Sequence, residues 1–161
     1  VMSRAWLLPI VIAAVAALMT AIVGATITEI GPWYHSLIQP RWAPPYAAYG
    51  VAWTAIYAFT AIAAVTGWRA MPHTAEADWL IGLFALNGFL NILWSLLFFR
   101  LHRPDWAVIE VIALWLSVAL LLVIIWRRSI PGALLLLPYL CWVTFAGYLN
   151  MTIVHLNGPF A

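Results

Sequence analysis

Five long apolar runs, separated by four short polar or proline-bearing breaks, make up the chain. The runs extend over residues 6–28, 46–68, 79–99, 106–126 and 130–155. The breaks read "EIGPWYHSLIQPRWAPP", "RAMPHTAEAD", "RLHRPD" and "RRSIPG". A hydrocarbon core about 30 Å thick needs about 20 mostly apolar residues as helix. Only helices or closed barrels satisfy their backbone groups in lipid, and the ten-residue alternating segments of a barrel are absent. The pattern predicts an all-α fold: an integral membrane bundle of five transmembrane helices forming one domain over residues 1–161, with a structured loop between the first two spans. The first run is read as a mature span rather than a cleaved leader, because "TITEIG" after it is no small-residue cleavage site.

Composition agrees with that picture. Of 161 residues, 66% are hydrophobic and 7% charged, far from the roughly one quarter charged of soluble domains. Lysine is absent, and the seven arginines are set against five acids. A net charge of +2, scattered over the breaks, gives no nucleic acid a basic face. Arginines near the break ends divide four against three, a slight lean towards an inside N-terminus. The single cysteine, Cys141, excludes an internal disulfide and is expected as a packed thiol. Trp6, Trp68, Trp79, Trp106 and Trp126 fall at run ends, as an interfacial aromatic belt requires.

Within the runs the polar groups are amides and hydroxyls. Asn87 and Asn91 stand one turn apart in the third run, with Trp94 three residues on. Trp53 and Tyr57 share a face of the second, and Trp142 and Asn150 lie in the fifth. Amides in hydrocarbon face inward and pair. Two readings follow: a network that only locks helix register, or a pocket of indole and phenol walls with a few placed amides. Four histidines (35, 73, 102, 155) sit in breaks or at helix ends, with no metal-ligand spacing, so no metal site and no catalytic set is expected. Glu110 is the one acid inside a run, at a depth from which it is expected to reach water. On the first run, Ala13, Ala17, Ala21 and Ala25 repeat at i+4, which allows close helix approach within the bundle or across a homodimer. Pro138 is expected to bend the fifth helix.

The loop "WYHSLIQPRWAPP" (33–45) is unusual for a connector, with two tryptophans and three prolines. Proline restricts its own φ and the residue before it. Trp33, Tyr34 and Trp42, stiffened by Pro40, Pro44 and Pro45, are therefore expected to fold down as a pre-formed lid.

With "GVAWTAIY" after it, this stretch resembles the signature of the translocator protein/TspO family, whose members are also called peripheral-type benzodiazepine receptors. The matching residues are Trp33, Tyr34, Leu37, Pro40, Trp42, Pro44, Pro45, Trp53 and Tyr57. "LNGFLNILWSLLFF" (86–99) and "PYLCWVTFAGYLN" (138–150) resemble the third- and fifth-helix motifs. Asn87 departs from the glutamine of many members, and no forward cholesterol-contact motif follows Tyr148, so sterol binding is not carried over. The resemblance implies a pocket among the upper halves of the helices, roofed by the loop. Its implied ligands are porphyrins (protoporphyrin IX or haem) and aromatic drug-like molecules, with no required cofactor. On that basis the ligand-binding set is Tyr34, Trp42, Trp53, Tyr57, Asn87, Asn91, Trp94, Trp142 and Asn150; the lid and structural set is Trp33, Pro40, Pro44, Pro45 and Pro138. The expected partners are porphyrin-type small molecules, the lipid bilayer and a second copy in a homodimer. The expected location is a bacterial cell membrane, or the mitochondrial outer membrane in a eukaryote. The alternatives to a receptor or carrier are an enzyme of light- or oxygen-dependent porphyrin degradation and a structural module without ligand.

Overall fold

The computed structural model describes residues 2–28 and 30–160, with side chains from Leu7 onward. Glu29 and the Trp6 indole assigned to the belt lie outside the described residues. Helix α1 covers Met2–Ile27, the short α2 Pro32–Ser36, α3 Tyr46–Ala70, α4 Thr74–Ser95, α5 Pro104–Trp126, α6 Ile130–Leu134 and α7 Leu137–Asn157. A π-helical turn, Leu96–Arg100, extends α4. Five segments are long and apolar enough to cross a membrane: Leu7–Ile27, Tyr46–Ala70, Thr74–Arg100, Pro104–Trp126 and Ile130–Asn157. No strand occurs among the described residues.

The third span starts at Thr74, five residues before its apolar run, because "TAEAD" is polar yet helix-forming and places Glu76 in the first turn, where the helix dipole favours it. In the fifth span the expected bend at Pro138 is instead a break upstream. The helix stops at Leu134, turns through Leu135 and Leu136, and restarts with Pro138 in the first turn of α7, where a missing N–H costs nothing. Cys141 is exposed on α7 rather than packed, since the core-facing positions of that helix are Tyr139, Val143, Leu149, Asn150 and Ile153.

Helix α5 is the centre of the bundle. Leu114, Val118, Leu121 and Ile125 point into a core completed by Ile56, Ala63, Leu80, Ala133, Leu136, Tyr139 and Val143. Gly67 lets α3 approach α5: a Cβ there would lie 2.8 Å from Ile125 Cδ1. A second cluster, Leu37, Phe98, Ala107, Leu149 and Ile153, seats the loop at the opposite end. This end, where α1, α4 and α7 finish and α3 and α5 begin, is the lid end.

The loop is held there by specific contacts. The Ile38 N–H donates to Asn157 Oδ1 at 2.7 Å, and Asn157 Nδ2 donates to the Ile38 carbonyl at 3.0 Å. Trp33 stacks on His102 with centroids 4.2 Å apart and meets Phe98 edge-on at 6.1 Å. His102 adopts φ 55°, a left-handed conformation uncommon outside glycine. That turn between the third and fourth spans aims its ring at the loop. Pro45 caps α3, and the Ala43 N–H closes a turn on the Pro40 carbonyl.

Candidate functional site

A cavity of about 1030 Å³ opens between α1, α3, α4 and α7. One face of α3 supplies Tyr46, Tyr49, Trp53 and Tyr57, at spacings of three and four residues that align them along the helix. The end of α4 and its π-turn supply Asn91, Trp94, Phe98 and Phe99; α7 supplies Trp142 and Asn150; α2 closes the lid end with Tyr34. Opposite these large rings, α1 presents mostly small groups such as Ala17, Ala21 and Gly24, with Ile10 and Leu18 farther from the lid. Its alanine stripe both lets α1 approach α3 closely and borders the cavity.

The rings order one another. Trp53 stacks on Tyr57 at 5.6 Å and meets Trp142 edge-on at 6.3 Å; Trp94 stacks on Phe98 at 5.3 Å. Tyr49 also meets Trp142 edge-on, at 5.7 Å. Such offset and edge-on pairs add about 0.5–1.5 kcal/mol each beyond area burial. Trp142 is also the wall of a shallower hollow of about 310 Å³ on its far side, between α3 and α7. A single indole thus separates the cavity from that outer surface.

A directional hydrogen-bond chain runs from the cavity into the core. Tyr57 Oη donates to Asn91 Oδ1 at 3.0 Å, and Asn91 Nδ2 donates to Tyr139 Oη at 2.8 Å. Tyr139 donates to Asn87 Oδ1 at 3.1 Å, Asn87 Nδ2 to Ser117 Oγ at 3.0 Å, and Ser117 to the Leu114 carbonyl at 2.7 Å. A carbonyl can only accept, so that last link sets the sense of every other one. Tyr57 has its proton committed to Asn91 and offers the cavity an acceptor oxygen. Separately, Trp94 Nε1 donates to Asn150 Oδ1 at 3.2 Å, and Asn150 Nδ2 donates to the Pro104 carbonyl at 2.9 Å. These amides do lock four helices in register, yet Asn91 and Asn150 also border open space. Burial pushes the Tyr34 hydroxyl above the ordinary tyrosine range, so it stays neutral at physiological pH.

Seven of the nine residues expected around a ligand line this cavity: Tyr34, Trp53, Tyr57, Asn91, Trp94, Trp142 and Asn150. Trp42 and Asn87 do not. The turn at Pro40 carries Trp42 outward, where it stacks on Tyr148 at 5.2 Å and meets Phe145 edge-on at 5.8 Å. Asn87 is spent inside the core, on Tyr139 and Ser117. Of the lid set, Trp33 is the loop's anchor to His102, and Pro40, Pro44, Pro45 and Pro138 shape the backbone without lining the cavity. Of the residues expected to fold down from the loop, Tyr34 borders the cavity and Trp42 does not. The cavity is also longer than the upper halves of the helices, reaching Ile10 on α1 and Thr66 on α3.

Tyr46, Tyr49, Phe98, Phe99 and the small residues of α1 join the lining beyond the set expected from the sequence. The tyrosines were visible as a stripe with Trp53 and Tyr57; the α1 residues carried no chemistry to mark them. Glu110 does not reach water as expected. It lies nearly two turns into α5, and both carboxyl oxygens are buried with no hydrogen-bond partner among the described residues. It lies outside the cavity lining. No group of three or more metal-ligating side chains occurs among the described residues.

Comparison with known proteins places the chain. Residues 7–156 match the TspO/MBR family. The tryptophan-rich protein TspO of Chlorobaculum tepidum is 39% identical over 140 residues, covering 83% of this chain and 86% of its own length. Protein CrtK of Rhodobacter capsulatus is 35% identical, covering 85% and 87%. The translocator protein of Bos taurus is 34% identical, covering 73% and 70%. The five membrane-spanning helices, the loop anchored over an aromatic cavity and these matches lead to one conclusion: the chain is a membrane protein of the TspO/MBR family.

Proposed function

We propose that the protein is a membrane receptor or carrier whose cavity takes a flat, mostly apolar ring system of the porphyrin class, with aromatic drug-like molecules as surrogates. The cavity itself carries this reading. Ligand pockets span about 300–1,000 Å³ and combine apolar walls with a few placed polar groups. Here a volume of about 1030 Å³ is walled by Trp53, Trp94, Trp142 and four tyrosines, with Asn91, Asn150 and the Tyr57 oxygen as the placed groups. Those rings already contact one another and the loop is already tied down by Asn157 and His102, so little ordering entropy remains to be lost on binding. Several ring contacts of about 0.5–1.5 kcal/mol each then support micromolar affinity.

The test is a titration of the purified protein in lipid nanodiscs with protoporphyrin IX in the dark, followed by quenching of indole fluorescence. Saturable quenching at about one porphyrin per chain is expected, with a dissociation constant of about micromolar. Gly24→Leu places a side chain beside the Tyr57 hydroxyl, 3.8 Å from where its Cβ would sit. It is expected to weaken binding at least about fivefold while leaving the helix intact. Quenching that rises linearly without saturation, or an unchanged curve for Gly24→Leu, contradicts the reading.

A further inference from the structure

The polar hydrogens of the cavity are unevenly spent. Towards the middle of the bundle they are committed within the protein: Tyr57 donates to Asn91, Trp94 to Asn150, and the Thr54 hydroxyl to the Gly50 carbonyl of its own helix. At the lid end they are not. Tyr34, Tyr46 and Tyr49 all line the cavity, and none of the three donates a hydrogen bond to another described residue.

These three phenols form a cluster. The Tyr34 and Tyr46 rings stand 6.3 Å apart, and the Tyr34 hydroxyl lies near enough to those of Tyr46 and Tyr49 to interact electrostatically with each. Tyr46 and Tyr49 project from one face of the start of α3. Tyr34 and Tyr49 both pack on the Leu37 and Phe98 cluster that seats the loop. The cluster thus joins the lid to the first turn of α3.

A phenol that keeps its hydrogen is a donor. Burial keeps Tyr34 neutral. The Gln39 amide beside it, whose atoms otherwise lack a partner, can donate to the Tyr34 oxygen and leave the Tyr34 hydrogen for the cavity. Hydroxyl hydrogens converging in one place suit an anion with two acceptor oxygens, because hydrogen bonds to an ionised acceptor are shorter and roughly twice as strong as neutral ones. They also favour the charged form of a carboxylate, which offsets its lost hydration. No charged residue lines the cavity, so neutral donors are what a carboxylate meets there.

The rest of the lining fixes a direction. Trp53 lies four residues beyond Tyr49, about 6 Å along α3, and Trp142 meets both edge-on. Farther from the lid the walls of α1 and α3 are mainly aliphatic, with Ala17, Ala61 and Val65. A flat guest against Trp53 and Trp142 therefore has one edge among phenols and the other among methyl groups.

Resting on the porphyrin reading above, we infer that Tyr34, Tyr46 and Tyr49 form a carboxylate subsite: the ring enters with its acid-bearing edge towards the lid, and the three hydroxyls hold one or both of its free carboxylates. They are then specificity determinants for an acidic tetrapyrrole over the same ring with its acids masked.

The test compares protoporphyrin IX with its dimethyl ester, which keeps the ring and loses the charge, by indole quenching in nanodiscs. The quantity read is the ratio of the two affinities relative to the unsubstituted protein, in which lipid partition and ring stacking cancel. Tyr46→Phe and Tyr49→Phe each remove a hydroxyl and keep the ring. Each is expected to shift that ratio at least about threefold against the diacid, and the triple variant with Tyr34→Phe at least about tenfold. Tyr148→Phe, on the exposed face of α7, is the control and should leave the ratio within about 1.5-fold. A ratio unchanged in the triple variant, or in both single variants should the triple not fold, overturns the inference and leaves the porphyrin reading intact. A shift as large in Tyr148→Phe does the same. Absence of saturable quenching by either porphyrin overturns both.

Discussion

Helices α1 and α5 have almost the same hydropathy, 2.5 and 2.9, and opposite surroundings. In the most apolar 18-residue window of each, none of α1 is buried within the protein, against 39% of α5. Helix α5 packs between α4 and α7 and supplies Leu114, Val118, Leu121 and Ile125 to the core. Helix α1 packs on α3, turns Leu7, Leu8 and Ile12 to lipid, and shows mainly alanine and glycine to the cavity. Hydropathy puts a helix in the bilayer, because lipid and protein interior are equally apolar. Close packing decides what it does there, because without water between helices it is the main attraction left. The helix that stabilises the bundle and the helix that leaves space for a guest are thus distinguished by side-chain volume, not by polarity.

Substitutions can break that contrast. Leu121→Ala opens a void in a fully buried site and is expected to cost about 2–3 kcal/mol, whereas Ile12→Ala, 59% exposed on α1, should stay within about 0.5 kcal/mol. Denaturant unfolding in mixed micelles compares the two; equal losses would mean that this face of α1 is packed after all.

The glycines give the next largest effect. Gly67→Ala drives a methyl to 2.8 and 2.9 Å from the Ile125 side chain, where α3 meets α5, and is expected to cost about 1–3 kcal/mol. Gly24→Ala on α1 meets nothing nearer than the Tyr57 hydroxyl at 3.8 Å and should be neutral or stabilising by up to about 1 kcal/mol. The same unfolding assay reads both, and a destabilised Gly24→Ala would contradict an open chamber at that level.

The smallest stability effect concerns the hydrogen-bond chain. Tyr139→Phe removes the link between Asn91 and Asn87 and is expected to cost about 0.6–2 kcal/mol, with the amide hydrogens of Asn91 exchanging faster. Tyr148→Phe on the exposed face of α7 should change stability by less than about 0.5 kcal/mol. Indistinguishable variants would mean that the chain does not couple the helices.

Much of this was legible in the residues. Helix number, order and breaks follow from apolar run length alone. Trp53, Tyr57, Asn91, Trp94, Trp142 and Asn150 were visible as large rings and amides placed at helical spacing where only an inward face tolerates them. What was hidden depends on direction rather than identity. Trp42 carries the same ring as Trp33, and only the turn at Pro40 decides that it faces out. Asn87 and Asn91 share a helix face, yet one is consumed by Ser117 and Tyr139 while the other borders the cavity. Glu110 is sealed off by helices contributed from other parts of the sequence. The anchoring roles of His102 and Asn157 belong to contacts between segments more than 60 residues apart, which no local pattern records.

Trp42 and Trp142 bring the account to its most direct test. Both are loop- or helix-borne indoles of the family-like motifs, but one stacks on the outside of α7 and the other walls the chamber. The measurement is the protoporphyrin IX quenching titration in nanodiscs on Trp42→Ala and Trp142→Ala side by side. The account predicts at least about fivefold weaker binding for Trp142→Ala and a change within about twofold for Trp42→Ala. Equal weakening in the two variants, or none in Trp142→Ala, would contradict the claim that the ring is held in this chamber.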